Sequence, residues 1–149
     1  MSKIIKAKVK IQLFAGKANP GGIGKEMGPH GINLGKFCLD FNNLTKPKGD
    51  ELCPALVIIY TDKTFDIILK TPPTAYLITK AAKIEKGASA PGKTKNAAGK
   101  DSNPIGKITV QQAMDIAKIK LVDCNTTSLD GVYRSIVGTA RSMGIEVME

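Results

Sequence analysis

The sequence predicts an α+β chain of two small domains, and three observations carry that expectation. Residues 1–70 hold runs that alternate with period two around one helical segment, whereas residues 74–149 are dominated by spacings of three and four. Between them stands Lys70-Thr-Pro-Pro73, a stiff connector whose paired prolines can also open the following helix. The 149 residues are 42% hydrophobic, enough for real cores and too much for wholesale disorder. The division is therefore 1–70, a 71–73 junction, and 74–149.

Lys6 to Leu13 alternates strictly, with Ala7, Val9, Ile11 and Leu13 on one side and Lys6, Lys8, Lys10 and Gln12 on the other. That is a half-buried strand with a lysine-lined outer face. Phe14 to Asn33 is rich in glycine and proline and reads as a long, ordered, exposed functional loop. Two nucleotide-binding readings of it fail on named positions. A Walker A motif aligned on Gly24-Lys25 puts Asn19 at the first glycine and Glu26 where the metal-binding hydroxyl belongs. A dinucleotide fingerprint begun at Gly22 and Gly24 meets Met27 at its third glycine. Asn33 can cap a helix whose buried stripe is Leu34, Phe37, Cys38, Phe41 and Leu44. Ala55–Tyr60 and Phe65–Leu69 are β-rich runs joined at Thr61-Asp62-Lys63-Thr64, a hairpin. The first domain is thus three strands packed with a helix.

The second domain opens with a helix over roughly Thr74 to Ile84 that buries Leu77, Ile78 and Ala81. Lys83 to Lys107 follows, with six lysines against Glu85 and Asp101. It is either a solvated loop or a basic loop that orders on an anionic partner. Thr109-Val-Gln-Gln112 is a capping box opening a helix with Val110, Ala113, Met114 and Ala117 inward. Thr127-Ser-Leu-Asp130 starts a third helix in a similar way, and Ile145-Glu-Val147 closes the chain as a short strand. The expectation is a C-terminal three-helix unit.

That third helix is the unusual one. Wound at about 100° per residue, it gathers Leu129, Val132, Tyr133, Ile136, Ala140 and Met143 on one face. Gly131, Ser135, Gly138 and Ser142 fall on a narrow opposite stripe, flanked by Arg134 and Arg141 on one side and Thr139 on the other. Each glycine inside a helix costs roughly 1 kcal/mol against alanine, so a reason for them is required. A face of small side chains admits another backbone closely. If that backbone is nucleic acid, guanidinium and hydroxyl groups suit its phosphate and ribose oxygens; the alternative is a tight helix–helix crossing.

Charge favours an anionic partner. The net charge is +9, from 22 basic and 13 acidic residues. It divides evenly: 11 basic and 6 acidic residues up to Lys70, 11 and 7 beyond it, so neither half is a detachable basic tail. No apolar run approaches the ~20 residues that span a bilayer, and the N-terminus has neither a signal-peptide nor a transit-peptide pattern. Cys38, Cys53, Cys124 and the single His30 offer no zinc spacing, and the cysteines read as reduced, buried thiols. No catalytic constellation assembles, so an enzyme is not expected, and no cofactor or metal is implied. Aromatic residues are only 5% of the chain, with no tryptophan, which argues against stacking on splayed single strands. Backbone and shape recognition of a folded RNA suits the second domain better.

Several motifs together resemble the bacterial-type ribosomal protein L11 family: Ala15-Gly-Lys-Ala-Asn-Pro20, Phe37-Cys38 with Phe41-Asn42, Lys70-Thr-Pro-Pro73, Ala81-Ala82 with Ile84-Glu-Lys-Gly87, and Gly138-Thr-Ala-Arg-Ser-Met-Gly144. The resemblance runs end to end. It implies a ribonucleoprotein component at the stalk base of the large ribosomal subunit. There the second domain would grip the rRNA of the factor-binding (GTPase-associated) centre, and the first would move and meet translation GTPases beside neighbouring stalk proteins. By position, rRNA contacts would fall on Gly138, Thr139, Arg141 and Ser142, and on Lys86, Gly87, Lys93 and Lys95 of the basic loop. Arg134 joins them from the helix pattern. The stretch Asn19, Pro20, Gly21, Gly22, Gly24 and Lys25 would be the factor- and antibiotic-facing loop.

The chain departs from the family pattern at three places. Gly21-Gly-Ile-Gly-Lys25 lacks later prolines of the family's segment, Leu39 stands where a lysine is usual, and extra residues lie around Asn96 to Ile105. The host compartment implied is bacterial cytoplasm or an organelle matrix. The competing reading is a basic two-domain nucleic-acid or regulatory-factor binder outside the ribosome.

Overall fold

The computed structural model describes residues 2–87 and 105–149. The chain forms two compact units, Met1–Pro72 and Pro73–Glu149.

In the first unit, β1 (Ile5–Phe14), β2 (Leu52–Tyr60) and β3 (Phe65–Leu69) make an antiparallel sheet in the order β1-β2-β3. Inward residues of β1 and β2, including Ile11, Cys53, Ala55, Val57 and Ile59, meet Phe37 and Phe41 in one core. The lysines of β1 stand on the exposed side, as the alternation requires. Residues Tyr60–Thr64 close the hairpin, with the Tyr60 N–H donating to the Thr64 carbonyl at 2.9 Å and the Asp62 carboxylate accepting from the Thr64 N–H at 3.0 Å.

The helix α2 (Leu34–Thr45) is capped by Asn33, whose side chain accepts from the Lys36 N–H at 3.1 Å. Its stripe differs from the expectation at one end. Leu44 is 50% exposed and Thr45 is fully buried in its place. At about 100° per residue, Thr45 lies roughly 30° from the mean direction of Leu34, Phe37, Cys38 and Phe41, and Leu44 roughly 70° from it. The buried hydroxyl is satisfied twice, donating to the Phe41 carbonyl at 2.8 Å and accepting from the Gly16 N–H at 3.0 Å.

The larger correction concerns residues 14–33. They do not form a loop throughout: α1 (Pro20–Met27) occupies the glycine-rich stretch, followed by a 3-10 turn at Gly28–His30. Gly21, Gly22 and Gly24 weaken an isolated helix of this length, so local and tertiary contacts decide. Asn19 caps the helix, its Oδ1 accepting from the Gly22 N–H at 2.6 Å, and Pro20 occupies the first turn, where its missing N–H has no cost. Ile23 and Met27, one turn apart, are 1% and 0% exposed in the core.

The second unit holds α3 (Thr74–Ala82), β4 (Gly106–Thr109), α4 (Val110–Leu121), α5 (Leu129–Ser142) and β5 (Ile145–Met148). The three helices are there, but the unit is not purely helical. β4 and β5 pair in parallel, Gly106 opposite Ile145 through Thr109 opposite Met148. Their Ile108 and Ile145 are buried in the same core as Ile78, Ile116, Val132 and Ile136. The capping box forms at Thr109 and Gln112. No capping box forms at α5: its cap is Ser128, accepting from the Gly131 N–H at 3.3 Å, and position Gly131 has no side chain to bond back. α3 ends at Ala82, where Lys83 turns left-handed at φ 57°.

Candidate nucleic-acid interface

Helix α5 divides as its sequence pattern dictates. Val132, Ile136 and Ala140 are buried, with Leu129, Tyr133 and Met143 packed at their margin. Gly131, Ser135, Gly138 and Ser142 are exposed on the far side, so the tight helix–helix crossing does not occur among the described residues. A methyl group added at Gly138 would meet nothing within 4 Å. The glycine is not required by the unit's own packing.

The polar groups around this stripe are differently engaged. Arg134 Nη2 lies 3.0 Å from Asp130 Oδ2, one turn back, and both side chains are exposed. The acid-before-base order at this spacing is the favourable one. Arg141 makes no ion pair among the described residues, so its full guanidinium fork is available. The Thr139 hydroxyl donates to the Ser135 carbonyl at 3.0 Å, and that of Ser142 donates to the Thr139 carbonyl at 2.7 Å. Each hydroxyl spends its proton on the helix and presents outward only acceptor lone pairs. Such a surface takes a donor such as a ribose 2′-hydroxyl at the hydroxyls and an anionic oxygen at Arg141.

The segment after α3 reaches the end of this helix. A Cβ added at Gly87 would stand 3.3 Å from Met143 Cβ and 3.4 Å from its Cε, so this glycine permits a close approach to the residue following Ser142. Lys86, exposed beside it, thereby comes to the C-terminal end of α5. Lys93 and Lys95 lie outside the described residues, as do residues 96–104 of the extra segment. Asn19, Pro20, Gly21, Gly22, Gly24 and Lys25 belong to the cap and body of α1 in the other unit, and are not a loop. The pattern reading missed the Asp130–Arg134 pair and the support of Gly87 by Met143. The first was legible from its four-residue spacing; the second is a contact between distant segments.

His30 is half-buried, and its carbonyl accepts from Lys6 Nζ at 3.3 Å. Cys38 and Cys53 are buried, and desolvation raises both thiols above their ordinary range, which disfavours the nucleophilic thiolate. Cys124 corrects the expectation of three buried thiols, for it is exposed. Among the described residues no group of acids, cysteines and histidine could hold a metal, and no helix is long and apolar enough to cross a membrane.

Two family models cover nearly all of the chain. The model described as ribosomal protein L11, N-terminal domain, matches residues 9–65, and that described as ribosomal protein L11, RNA binding domain, matches residues 70–147. The chain belongs to the ribosomal protein L11 family. Over 147 residues it is 48% identical to the large ribosomal subunit protein uL11B of Halalkalibacterium halodurans, an alignment covering 99% of this chain and 98% of that protein. The L11 RNA binding domain match contains all of α5 and both strands' pairing partners as far as Val147. L11 proteins are structural and non-enzymatic.

Proposed function

We propose that this L11 protein is a structural constituent of the large ribosomal subunit. In this reading its second unit binds and organises the rRNA of the factor-binding centre, and its first unit supports translation-factor action. It is a ribosomal, RNA-binding protein and not an enzyme. The observation that carries the rRNA assignment is the open face of α5. Gly138 has no neighbour that its missing side chain serves, and Arg141 is unpaired among the described residues. The rRNA backbone approaches over Gly131, Ser135 and Gly138. Arg141 holds a phosphate, Thr139 and Ser142 accept from riboses, and Arg134 is recruited at the expense of its bond to Asp130. Lys86, Gly87, Lys93 and Lys95 extend the contact from the basic segment.

In the first unit, the exposed side of α1 from Asn19 to Lys25 is the surface offered to translation GTPases and to antibiotics. Neighbouring stalk proteins are its other proposed partners. The site of action is the ribosome, in bacterial cytoplasm or in an organelle matrix; the relative above is bacterial. The binder outside the ribosome is not favoured, because both halves match L11 domains.

Two measurements test this. The protein co-sediments with large subunits through a high-salt wash, and a fragment of residues 73–149 retains the rRNA affinity of the whole chain while 1–72 does not. A folded 73–149 fragment that fails to bind would contradict the division of labour.

A further inference from the structure

The feature the rRNA reading leaves unused lies in the first unit, along β3. The strand is at the sheet's edge, paired on one side with β2 from Phe65 opposite Ile59 to Leu69 opposite Ala55. The Tyr60 N–H bonds the Thr64 carbonyl and the Lys70 N–H bonds the Pro54 carbonyl, each at 2.9 Å. Those two bonds fix the phase: Thr64, Asp66, Ile68 and Lys70 turn their backbone groups to β2. The N–H and C=O groups of Phe65, Ile67 and Leu69 therefore face outward from the sheet edge. They make no backbone bond to another segment among the described residues.

Beside this edge runs a groove of ≈ 320 Å³ lined by Asp40, Asn43 and Leu44 of α2 and by Phe65, Asp66 and Ile67 of β3. Leu44, the apolar residue excluded from the core, projects into it at 50% exposure. Neither Asp40 nor Asp66 pairs with a cation among the described residues, although the chain as a whole carries +9. Asp66 is held in place by the Tyr60 hydroxyl, which donates to its Oδ2 at 2.6 Å.

We propose that the β3 edge and the groove beside α2 capture an extended, basic segment of a partner protein by strand addition. The free backbone groups of Phe65, Ile67 and Leu69 supply the ladder bonds, and Leu44, Phe65 and Ile67 receive the segment's apolar side chains. Asp66, on the strand face opposite Phe65 and Ile67, selects arginine or lysine at the alternate positions of the segment, and Asp40 adds negative charge at the groove's rim. The same two carboxylates repel phosphate, so the occupant is a peptide and not nucleic acid. A sheet edge guarded against association would carry charge and no apolar groove; this edge has both, with the charge at the rim.

The test uses the full chain, isotopically labelled, titrated with a capped pentapeptide of alternating leucine and arginine. The amides of Phe65, Ile67 and Leu69 shift on saturation. The same peptide with glutamate for arginine, or with its alternate backbone nitrogens methylated, binds about tenfold or more weakly. Asp66→Asn, whose amide oxygen can still accept from the Tyr60 hydroxyl, weakens the arginine peptide severalfold and leaves the melting temperature unchanged. Unshifted β3 amides at millimolar peptide, or undiminished binding of the methylated peptide, would overturn the proposal.

Discussion

Helices α1 and α5 both carry glycines that helix propensity disfavours, and in each helix one glycine is open (Gly24, Gly138) while another lies against the cap (Gly22, Gly131); Gly22 and Gly138 mark the two extremes. In α1 an added Cβ at Gly22 would stand 3.2 Å from Asn19 Oδ1, and one at Gly21 3.5 Å from it. The first is tighter than ordinary contact and the second is not, so Gly22 is the glycine that leaves room for the cap. In α5 an added Cβ at Gly138 meets nothing. Gly87 sits between the two cases, outside any helix and filled by Met143 at 3.3 Å. A glycine whose added Cβ meets a neighbour reports on packing; at Gly138, where it meets none, packing within the unit supplies no reason for the glycine.

Substitutions sharpen this contrast in a graded series. The largest stability effect is expected at Gly87→Val, whose branched side chain must displace Met143 Cβ; a loss of about 1–3 kcal/mol is the usual size of such overpacking, read by denaturant titration. Next are the arginines. Arg141→Ala should weaken rRNA binding by about 1–3 kcal/mol and lower the salt slope by about one contact. Arg134→Ala should cost less, because binding must first take that guanidinium from Asp130. Equal losses would show that the Asp130 pair plays no part. The smallest effects separate the helices: Gly138→Ala should stabilise the free protein by up to ~1 kcal/mol. Gly22→Ala gains the same propensity but crowds the Asn19 cap, itself worth ~1 kcal/mol, and should leave stability nearly unchanged.

The same contrast explains what the sequence made legible. The two faces of α5 could be read because its buried stripe and its exposed stripe are both periodic, and the face of a helix is set by that period alone; its cap and the Asp130–Arg134 pair were not. β1 was equally plain, with three lysines and a glutamine alternating against apolar residues. α1 was not. Three glycines in eight residues outweigh, in any local reading, the brief signals of Asn19-Pro20 and the Ile23–Met27 pair, and only burial against the sheet makes those signals decisive. β4 was hidden for a related reason: of its four residues only Ile108 is buried, and it lies in a polar stretch whose strand character comes from pairing with β5, far along the chain. Leu44 and Thr45 show the finer limit. Hydrophobicity chose the leucine, and angle chose the threonine, whose hydroxyl two hydrogen bonds then made tolerable inside.

The central claim, that the small face of α5 is an rRNA surface and not core, meets its most direct test at Gly138→Leu. Thermal melts and rRNA titrations on the same preparation give both answers. The leucine should leave the melting temperature at or above that of the unmodified protein, since nothing lies within 4 Å of the new Cβ. It should weaken rRNA binding by at least about tenfold, ~1.4 kcal/mol, by holding the backbone off and stretching the bonds of Thr139, Arg141 and Ser142. A folded variant that binds rRNA at full strength, or a variant that melts early, would contradict it.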